Sequence, residues 1–228
     1  MNIDLNKITY YFLTYKNPKR EKFIRKEFNG HNLIKVESIK ESHKFKSGAA
    51  GFSKILDLAS QNQDRNKPFQ PFVILEDDAS KFDNYPEVIN IPKDTDIFYL
   101  GLSRVGIKRK KGQKTYKICH KIINEKVIRI YNMLSTHAMI ICSIRGLISI
   151  QKCMFESWFK KLPWDLRLTH MQPFINVYAM KKPLIYQNSK VGGSEWETKI
   201  PELFNKECNL PDEWINDGVL VNKTLYKK

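Results

Sequence analysis

The sequence predicts an α/β fold, a single-domain α/β/α sandwich with a largely parallel central sheet. Segments rich in β-branched and aromatic residues alternate with segments of helical periodicity, which favours alternating strands and helices. The segment 72–75 is an uninterrupted apolar run, typical of a strand that is buried on both faces. With 228 residues and no repeat or linker-like stretch, the chain is expected to form one domain over 1–228, with 197–228 the least predictable part.

The individual elements follow from local patterns taken in chain order. β-branched and aromatic content predicts the strands, and the turn signal of Asn17 and Pro18 separates the first strand from the first helix. Apolar spacing of three and four residues, as at Phe52, Ile55 and Leu56, predicts the helices. The predicted strands cover 8–15, 33–38, 72–75, 96–100, 126–131, 137–142 and 183–187. The predicted helices cover 19–28, 48–59, 146–159 and 164–178.

Three consecutive carboxylates, Glu76, Asp77 and Asp78, follow the predicted strand 72–75 directly. In open α/β sheets, ligands bind outside the carboxyl ends of the strands. Unit charges about 4 Å apart repel by about 1 kcal/mol in water and by more where water is excluded, so crowded acids need a cation among them. Carboxylates suit Mg²⁺ or Mn²⁺, which bind through one or two such groups plus substrate phosphates. The pattern therefore favours a metal site, and a solvated acidic turn is the alternative.

The formal net charge of +15 favours a polyanionic partner, such as nucleic acid, an anionic membrane surface or an acidic glycan. The stretch 104–121 carries no acid and eight cations: Arg104, Lys108, Arg109, Lys110, Lys111, Lys114, Lys117 and Lys121. A second basic cluster lies between Lys16 and Lys26. A solvated face or a lysine-rich genome is the alternative, but a genome bias would not remove acids from one stretch.

Cysteine usage and the N-terminus indicate the compartment. The four cysteines, Cys119, Cys142, Cys153 and Cys208, form no Cys-x-x-Cys pair, which favours reduced thiols over a disulfide or a zinc site. No run of about 20 apolar residues is present, and residues 1–7 lack the pattern of a secretory signal. We therefore expect a soluble cytoplasmic protein without integral membrane association, in the host cytoplasm if the chain is viral.

An ordered set of motifs along residues 8–195 resembles glycosyltransferase family 25, the lipopolysaccharide-type sugar transferases of the GT-A fold. The motifs are the strand and basic helix 10–28, the segment 48–53, the acidic triplet, the strand ending at Gly101, the segment 135–142, Pro163-Trp164-Asp165, and 183–187 followed by Ser194 and Glu195. Two departures concern the acceptor, since Lys54 stands where the family has histidine and the stretch 104–121 is strongly basic.

The resemblance implies a GT-A-like fold and metal-dependent transfer of a sugar from a nucleotide donor, expected to be UDP-linked, with Mn²⁺ or Mg²⁺. It implies that Asp78 binds the metal, with Glu76 as a direct or water-mediated partner. Asp165 is the acceptor-side carboxylate and candidate general base, and a plain helix N-cap is its alternative role. The donor-binding candidates are Asp77, Thr14, Tyr15, Ser135, Thr136 and His137, and the candidates for metal or donor are His170 and Gln187.

The basic stretch makes an anionic polymer the expected acceptor, most favourably a hydroxymethylated or already glycosylated base in DNA, as for the base-modifying transferases of bacteriophages. A flipped base would stack on Trp164 or Tyr116. The polyanion-binding candidates are Arg104, Lys108, Arg109, Lys110, Lys111, Lys114 and Lys117. A lipopolysaccharide or capsule glycan is the alternative acceptor. A catalytically dead nucleic-acid-binding module is the alternative of another class.

Overall fold

The computed structural model describes residues 1–64, 66–103, 106 and 118–192. Within these ranges the strands are β1 Asn2–Asp4, β2 Thr9–Thr14, β3 Asn32–Glu37, β4 Phe72–Glu76, β5 Ala79–Lys81, β6 Val88–Asn90, β7 Ile97–Tyr99, β8 His120–Ile122, β9 Val127–Ile130, β10 Ala138–Ile141, β11 Val177–Met180 and β12 Ile185–Gln187. The α-helices are α1 Pro18–Glu27, α2 Lys44–Gln61, α3 Ile144–Lys160 and α4 Trp164–Met171. This mixture of helices and strands confirms the predicted α/β class.

In the described part of the chain, eight strands form one sheet in the order β3-β2-β4-β10-β7-β11-β9-β8. Strands β10 and β9 are antiparallel to both of their neighbours, whereas β3, β2 and β4 are parallel to one another and β7 is parallel to β11. Six of the eight strands therefore share one direction, which confirms a largely parallel central sheet. The reversed strand β10 lies between β4 and β7, so it begins at the edge where its two neighbours end.

Both faces of the sheet are covered. Tyr11 and Ile74 belong to a core cluster that includes apolar residues of α2, α3 and α4. Tyr10, Phe12 and Val73 point to the opposite face, where they share a second cluster with α1 and the two-stranded antiparallel sheet of β1 and β6. The alternation along β2 and β4 follows from the two-residue period of a strand. Burial on both faces explains why residues 72–75 are apolar without alternation.

One helix prediction is wrong at its C-terminus. The predicted helix 164–178 ends at Met171, and residues 177–180 form β11 instead. Pro173 has no backbone N–H and its ring would clash with a preceding helical carbonyl, so the helix gives way to a 3-10 turn at Gln172–Phe174.

Other differences concern short or polar segments. Helix α2 begins at Lys44, four residues before the predicted start, with His43 as its N-cap. The sequence does not predict strands β1, β5, β6 and β8, because each has three residues with at least one polar residue among them and shows neither a period nor an apolar run.

Two further sequence expectations concern membranes and thiols. Among the described residues, no helix has the length and apolar character needed to cross a membrane. Cys119, Cys142 and Cys153 are buried and form no disulfide with one another, and Cys208 lies outside the described ranges. The single-domain organisation stays a prediction.

Candidate active site

One edge of the sheet brings the end of β4 and the segment after β7 to the start of β10. The backbone N–H of Glu76 donates to the carbonyl of His137 at 2.9 Å. From the other side, the N–H of Leu100 donates to the carbonyl of Ala138 at 3.1 Å. Because β10 is inserted antiparallel between β4 and β7, residues 135–137 lie beside the acidic triplet. The sheet topology thus assembles site candidates that are distant in sequence.

Glu76 is held at the end of β4 by two side chains. Thr136 donates from Oγ1 to Glu76 Oε1 at 2.8 Å, and Gln187 donates from Nε2 to Glu76 Oε2 at 2.7 Å. The structure therefore brings three of the predicted site residues into direct contact. A carboxylate oxygen that accepts one hydrogen bond keeps a second lone pair, so the metal-binding role of Glu76 stays a prediction.

Asp77 and Asp78 are buried in the turn between β4 and β5 and share one cation, Arg20. Arg20 Nη1 lies 2.8 Å from Asp77 Oδ1, and Arg20 Nη2 lies 3.4 Å from Asp78 Oδ2. The same guanidinium donates to the carbonyls of Val191 and Gly192, each at 2.9 Å. Arg20 therefore supplies the positive charge that three crowded acids require.

Helix α1 positions Arg20 in its first turn. The side-chain oxygen of Asn17 accepts from the N–H of Arg20 at 3.1 Å, and Pro18 occupies the first helical position. Gly192 adopts a left-handed φ of 92°, and a Cβ there would lie 2.9 Å from Arg20 Nη2. The sequence shows Arg20 as one of several cations in the basic cluster between Lys16 and Lys26. The Asn-Pro helix start that positions Arg20 is also present in the sequence and is the signal that could have identified it.

Asp78 carries the least satisfied carboxylate of the site. Its Oδ1 is buried and accepts no hydrogen bond from any described residue. Burial raises the pKa of Asp78 and the charge of Asp77 adds to this, while Arg20 and His137 offset only part of the rise. Leaving a buried acceptor without a partner costs about 1–3 kcal/mol, and more for a charged group. Such perturbed carboxylates are typical of ligand sites.

The Asp78 carboxylate fits a divalent cation that a substrate helps to bind. Mg²⁺ and Mn²⁺ are commonly held by one or two carboxylates plus waters and substrate phosphates. Asp78 Oδ1 offers a ligand atom, whereas Arg20 engages the other oxygen of that carboxylate. No group of three or more His, Cys, Asp or Glu side chains converges within the described ranges, so these residues form no all-protein metal cage.

A cleft of about 290 Å³ opens beside Glu76 and Asp77. Thr14 and Tyr15, at the end of β2, line it together with Arg20, Phe52 and Asp77. Thr14 Oγ1 is buried and has no hydrogen-bond partner in the described part of the chain, while Tyr15 is exposed. Three of the predicted donor-binding residues, Thr14, Tyr15 and Asp77, therefore border the cleft at the carboxyl edge of the sheet, where α/β proteins bind ligands.

His137 is a fixed, buried imidazole next to the acidic triplet. Its Nδ1 lies 2.8 Å from Ser135 Oγ, within hydrogen-bond distance. A Cβ on Gly101 would lie 1.7 Å from His137 Nε2, so only glycine fits where the chain leaves β7. Its electrostatic interaction with Asp78 lowers the pKa of that carboxyl. His137 and Ser135 thus help to set the environment of Asp78.

Asp165 lies in the first turn of α4, and its predicted N-cap position is wrong. The helix begins one residue earlier, at Trp164, with Pro163 at the N-cap, and Asp165 Oδ1 accepts from the N–H of Leu166 at 2.8 Å. Burial raises the pKa of Asp165. The Trp164 ring packs on the cleft residue Phe52, with centroids 4.7 Å apart. The Phe52 side chain therefore connects the start of α4 to the cleft.

Neither Asp165 nor His170 contacts the aspartate pair. In the described ranges, no hydrogen bond or ion pair joins them to Asp77 or Asp78. His170 is buried on α4, where burial and the nearby Arg167 lower its pKa to about 4. The roles of Asp165 as a base and of His170 as a metal or donor ligand stay predictions.

Several predicted site residues fall outside the described ranges. These are Arg104, Lys108, Arg109, Lys110, Lys111, Lys114 and Lys117 of the basic stretch, together with Tyr116, Ser194 and Glu195.

No protein-family model and no curated protein matches the chain. Among solved structures, it is similar to a glycosyltransferase involved in the glycosylation of the major capsid of PBCV-1, with 14% identity and a TM-score of 0.43 over 75% of this chain and 81% of that chain. It is also similar to CTP:phosphocholine cytidylyltransferase from Streptococcus pneumoniae, with 10% identity and a TM-score of 0.40 over 80% of this chain and 73% of that chain. Both TM-scores are below 0.5, so neither likeness assigns a residue role or a substrate here.

Proposed function

We propose that this chain is a nucleotide-sugar-dependent glycosyltransferase, with the donor bound in the cleft at the carboxyl edge of the sheet. The observation that carries the proposal is the buried pair Asp77 and Asp78, of which Asp77 lines the cleft together with Thr14, Tyr15 and Glu76. Mn²⁺ or Mg²⁺ held by Asp78, with Glu76 as a direct or water-mediated partner, would bind the donor diphosphate and offset the charge of the departing nucleotide, which we expect to be UDP.

The remaining residues have distinct proposed roles. Thr14 Oγ1 lacks a partner among the described residues, which supports a hydrogen bond to the donor. Glu76, held by Thr136 and Gln187, fixes the end of β4 and thereby the position of both aspartates.

Asp165 is the proposed general base. The acceptor hydroxyl attacks the anomeric carbon, the bond from that carbon to the diphosphate oxygen breaks, and Asp165 takes the hydroxyl proton. Burial raises the pKa of Asp165, which makes it a better proton acceptor than an exposed aspartate.

The decisive experiment compares the wild type with Asp78→Ala in donor hydrolysis, using a panel of nucleotide sugars with Mn²⁺, Mg²⁺ or EDTA. We expect hydrolysis in the wild type that EDTA abolishes and a loss of about 10²-fold or more in the variant. Asp83→Asn changes an exposed acid in the loop after β5 and should keep full activity. A wild type that hydrolyses no donor would favour a nucleic-acid-binding module without catalysis, and a variant as active as the wild type would contradict the role of Asp78.

For the acceptor, we propose a hydroxymethylated or already glycosylated DNA base as the first candidate. The net charge of +15 supports this, because each phosphate that a cation neutralises adds affinity. A glycan presented at an anionic membrane is the second candidate, favoured by an exposed apolar face on α3. Transfer assays with a hydroxymethylated duplex and with a lipid-linked glycan distinguish the two.

A further inference from the structure

Helix α3 exposes an unusual amount of apolar surface. Five of the ten large hydrophobic side chains that are exposed among the described residues belong to it: Ile144, Ile148, Phe155, Trp158 and Phe159. Phe155 and Phe159 are 71% and 69% exposed, and their rings stack with centroids 6.4 Å apart. Single exposed apolar residues are ordinary, whereas a contiguous apolar patch marks an interaction surface.

These five side chains occupy one face of the helix. At 3.6 residues per turn they fall within an arc of roughly 100°. The opposite face packs into the core through Leu147, Ile150, Cys153 and Met154. Helix α3 is therefore apolar on two faces. The rest of the fold covers the inner face and leaves the outer face exposed. A helix that is apolar all round is normally buried, so the outer face requires a partner.

The charges around this outer face are positive. Lys152 is exposed about 20° beyond one edge of this arc, and the exposed Lys161 follows the last residue of the helix. Lys46 of α2 places its Nζ 4.1 Å from the centroid of the Trp158 ring. The acidic residue of α3, Glu156, is off this arc and lies 3.8 Å from Arg167. The surface thus combines an apolar centre with a cationic rim.

We propose that the outer face of α3 docks on an anionic lipid bilayer. Phe155 and Phe159 enter the headgroup region, and the rim lysines contact lipid phosphates, as in interfacial amphipathic helices. A second copy of the chain would present the same cationic rim and repel it, and a nucleic-acid duplex offers no apolar surface for the phenylalanines. This inference rests on α3 alone and does not depend on the proposed glycosyltransferase activity.

The test is flotation of the full chain with vesicles of phosphatidylcholine, with and without phosphatidylglycerol. The double variant Phe155→Ser and Phe159→Ser keeps every charge, so it separates apolar insertion from general attraction of a basic protein. We expect it to lower the partition coefficient for anionic vesicles by at least about tenfold. The matched control, Val88→Ser with Phe174→Ser, removes residues that are 52% and 44% exposed elsewhere and should bind like the wild type.

Two further measurements complete the test. Lys152→Gln with Lys161→Gln should weaken binding about fivefold per lysine, and thermal unfolding should show that all variants stay folded. Equal binding by the phenylalanine variant and the wild type, or no binding by the wild type, would overturn the proposal. So would sedimentation data in which the wild type dimerises, the phenylalanine variant does not, and neither binds vesicles, because the face would then join two copies.

Discussion

Arg20 is the residue on which the charge balance of the acidic triplet depends. Replacing it with glutamine leaves Asp77 and Asp78 buried without their guanidinium, so we expect Arg20→Gln to lower the free energy of unfolding by about 2–4 kcal/mol. The pKa of Asp78 should also rise further, because Arg20 lowers it in the wild type. Urea unfolding measures the first effect.

The stabilisation of Arg20→Gln by Mn²⁺ tests the metal site more directly than the stability of the variant alone. If the aspartates bind a divalent cation, Mn²⁺ should stabilise Arg20→Gln more than it stabilises the wild type, since the ion then occupies the position of the lost charge. Arg25→Gln is the control on the same helix, where the exposed Arg25 pairs with Glu21 and its loss should change stability by less than about 0.5 kcal/mol. Equal Mn²⁺ responses in all three proteins would argue against a metal at this pair.

His170 should make the protein sensitive to acid. Its pKa is about 4 in the folded protein, because burial and Arg167 disfavour the charged ring, and about 6.5 when unfolded. Between these values the unfolded chain binds a proton that the native state does not, so stability falls as the pH drops through this window. The full effect is on the order of 3 kcal/mol. His170→Gln should lose this dependence in urea unfolding at several pH values, and parallel curves for the two proteins would contradict it.

At the scale of elements, the strands that the sequence predicts are those whose local pattern matches their environment. The run 72–75 is apolar because the sheet buries it on both faces. That pattern correctly predicts a strand that ends at the acidic triplet. The contacts of Glu76 were not predictable, because they depend on the strand topology, including the insertion of β10 between β4 and β7. Thr136 reaches Glu76 through that insertion, whereas Gln187 reaches it through the pairing of β12 with β5. Likewise, the sequence does not distinguish among the six cations between Lys16 and Lys26. The N-terminus of α1 positions one of them, Arg20, beside the aspartates.

The junction between β7 and the segment before β10 gives an element-scale prediction. Gly101→Ala would place a methyl group 1.7 Å from His137 Nε2, so the imidazole or the strand end must move. We expect a loss of about 1–3 kcal/mol in the free energy of unfolding and weaker Mn²⁺ binding, because His137 acts on Asp78. Gly48→Ala is the control, since a Cβ there meets nothing within 4 Å and should stabilise α2 by about 0.5–1 kcal/mol. Equal stabilities of the two variants would contradict the prediction.

At the scale of the whole molecule, the net charge and the exposed apolar face of α3 indicate different binding surfaces. The net charge of +15 could be read from the sequence, but it did not indicate that α3 has an outer apolar face. The helical spacing of residues 146–159 identifies apolar positions without showing which of them the rest of the fold covers. A helix with two apolar faces looks the same in sequence as a fully buried one.

The charge excess gives the last prediction, which concerns DNA. If the basic stretch binds a duplex through six to ten phosphates, the affinity should fall by about 10³ to 10⁵ between 50 and 200 mM salt. Replacing Lys108, Arg109, Lys110 and Lys111 with glutamine should reduce the slope of log affinity against log salt by about 3 to 4, at about 0.9 per contact. Fluorescence anisotropy with a short duplex containing hydroxymethylcytosine measures this slope. The control removes four charges elsewhere, by glutamine at Lys7, Lys67, Lys93 and Lys126. A control slope that falls as much would mean that general charge attracts DNA, and salt-independent binding would exclude phosphate contacts as its source.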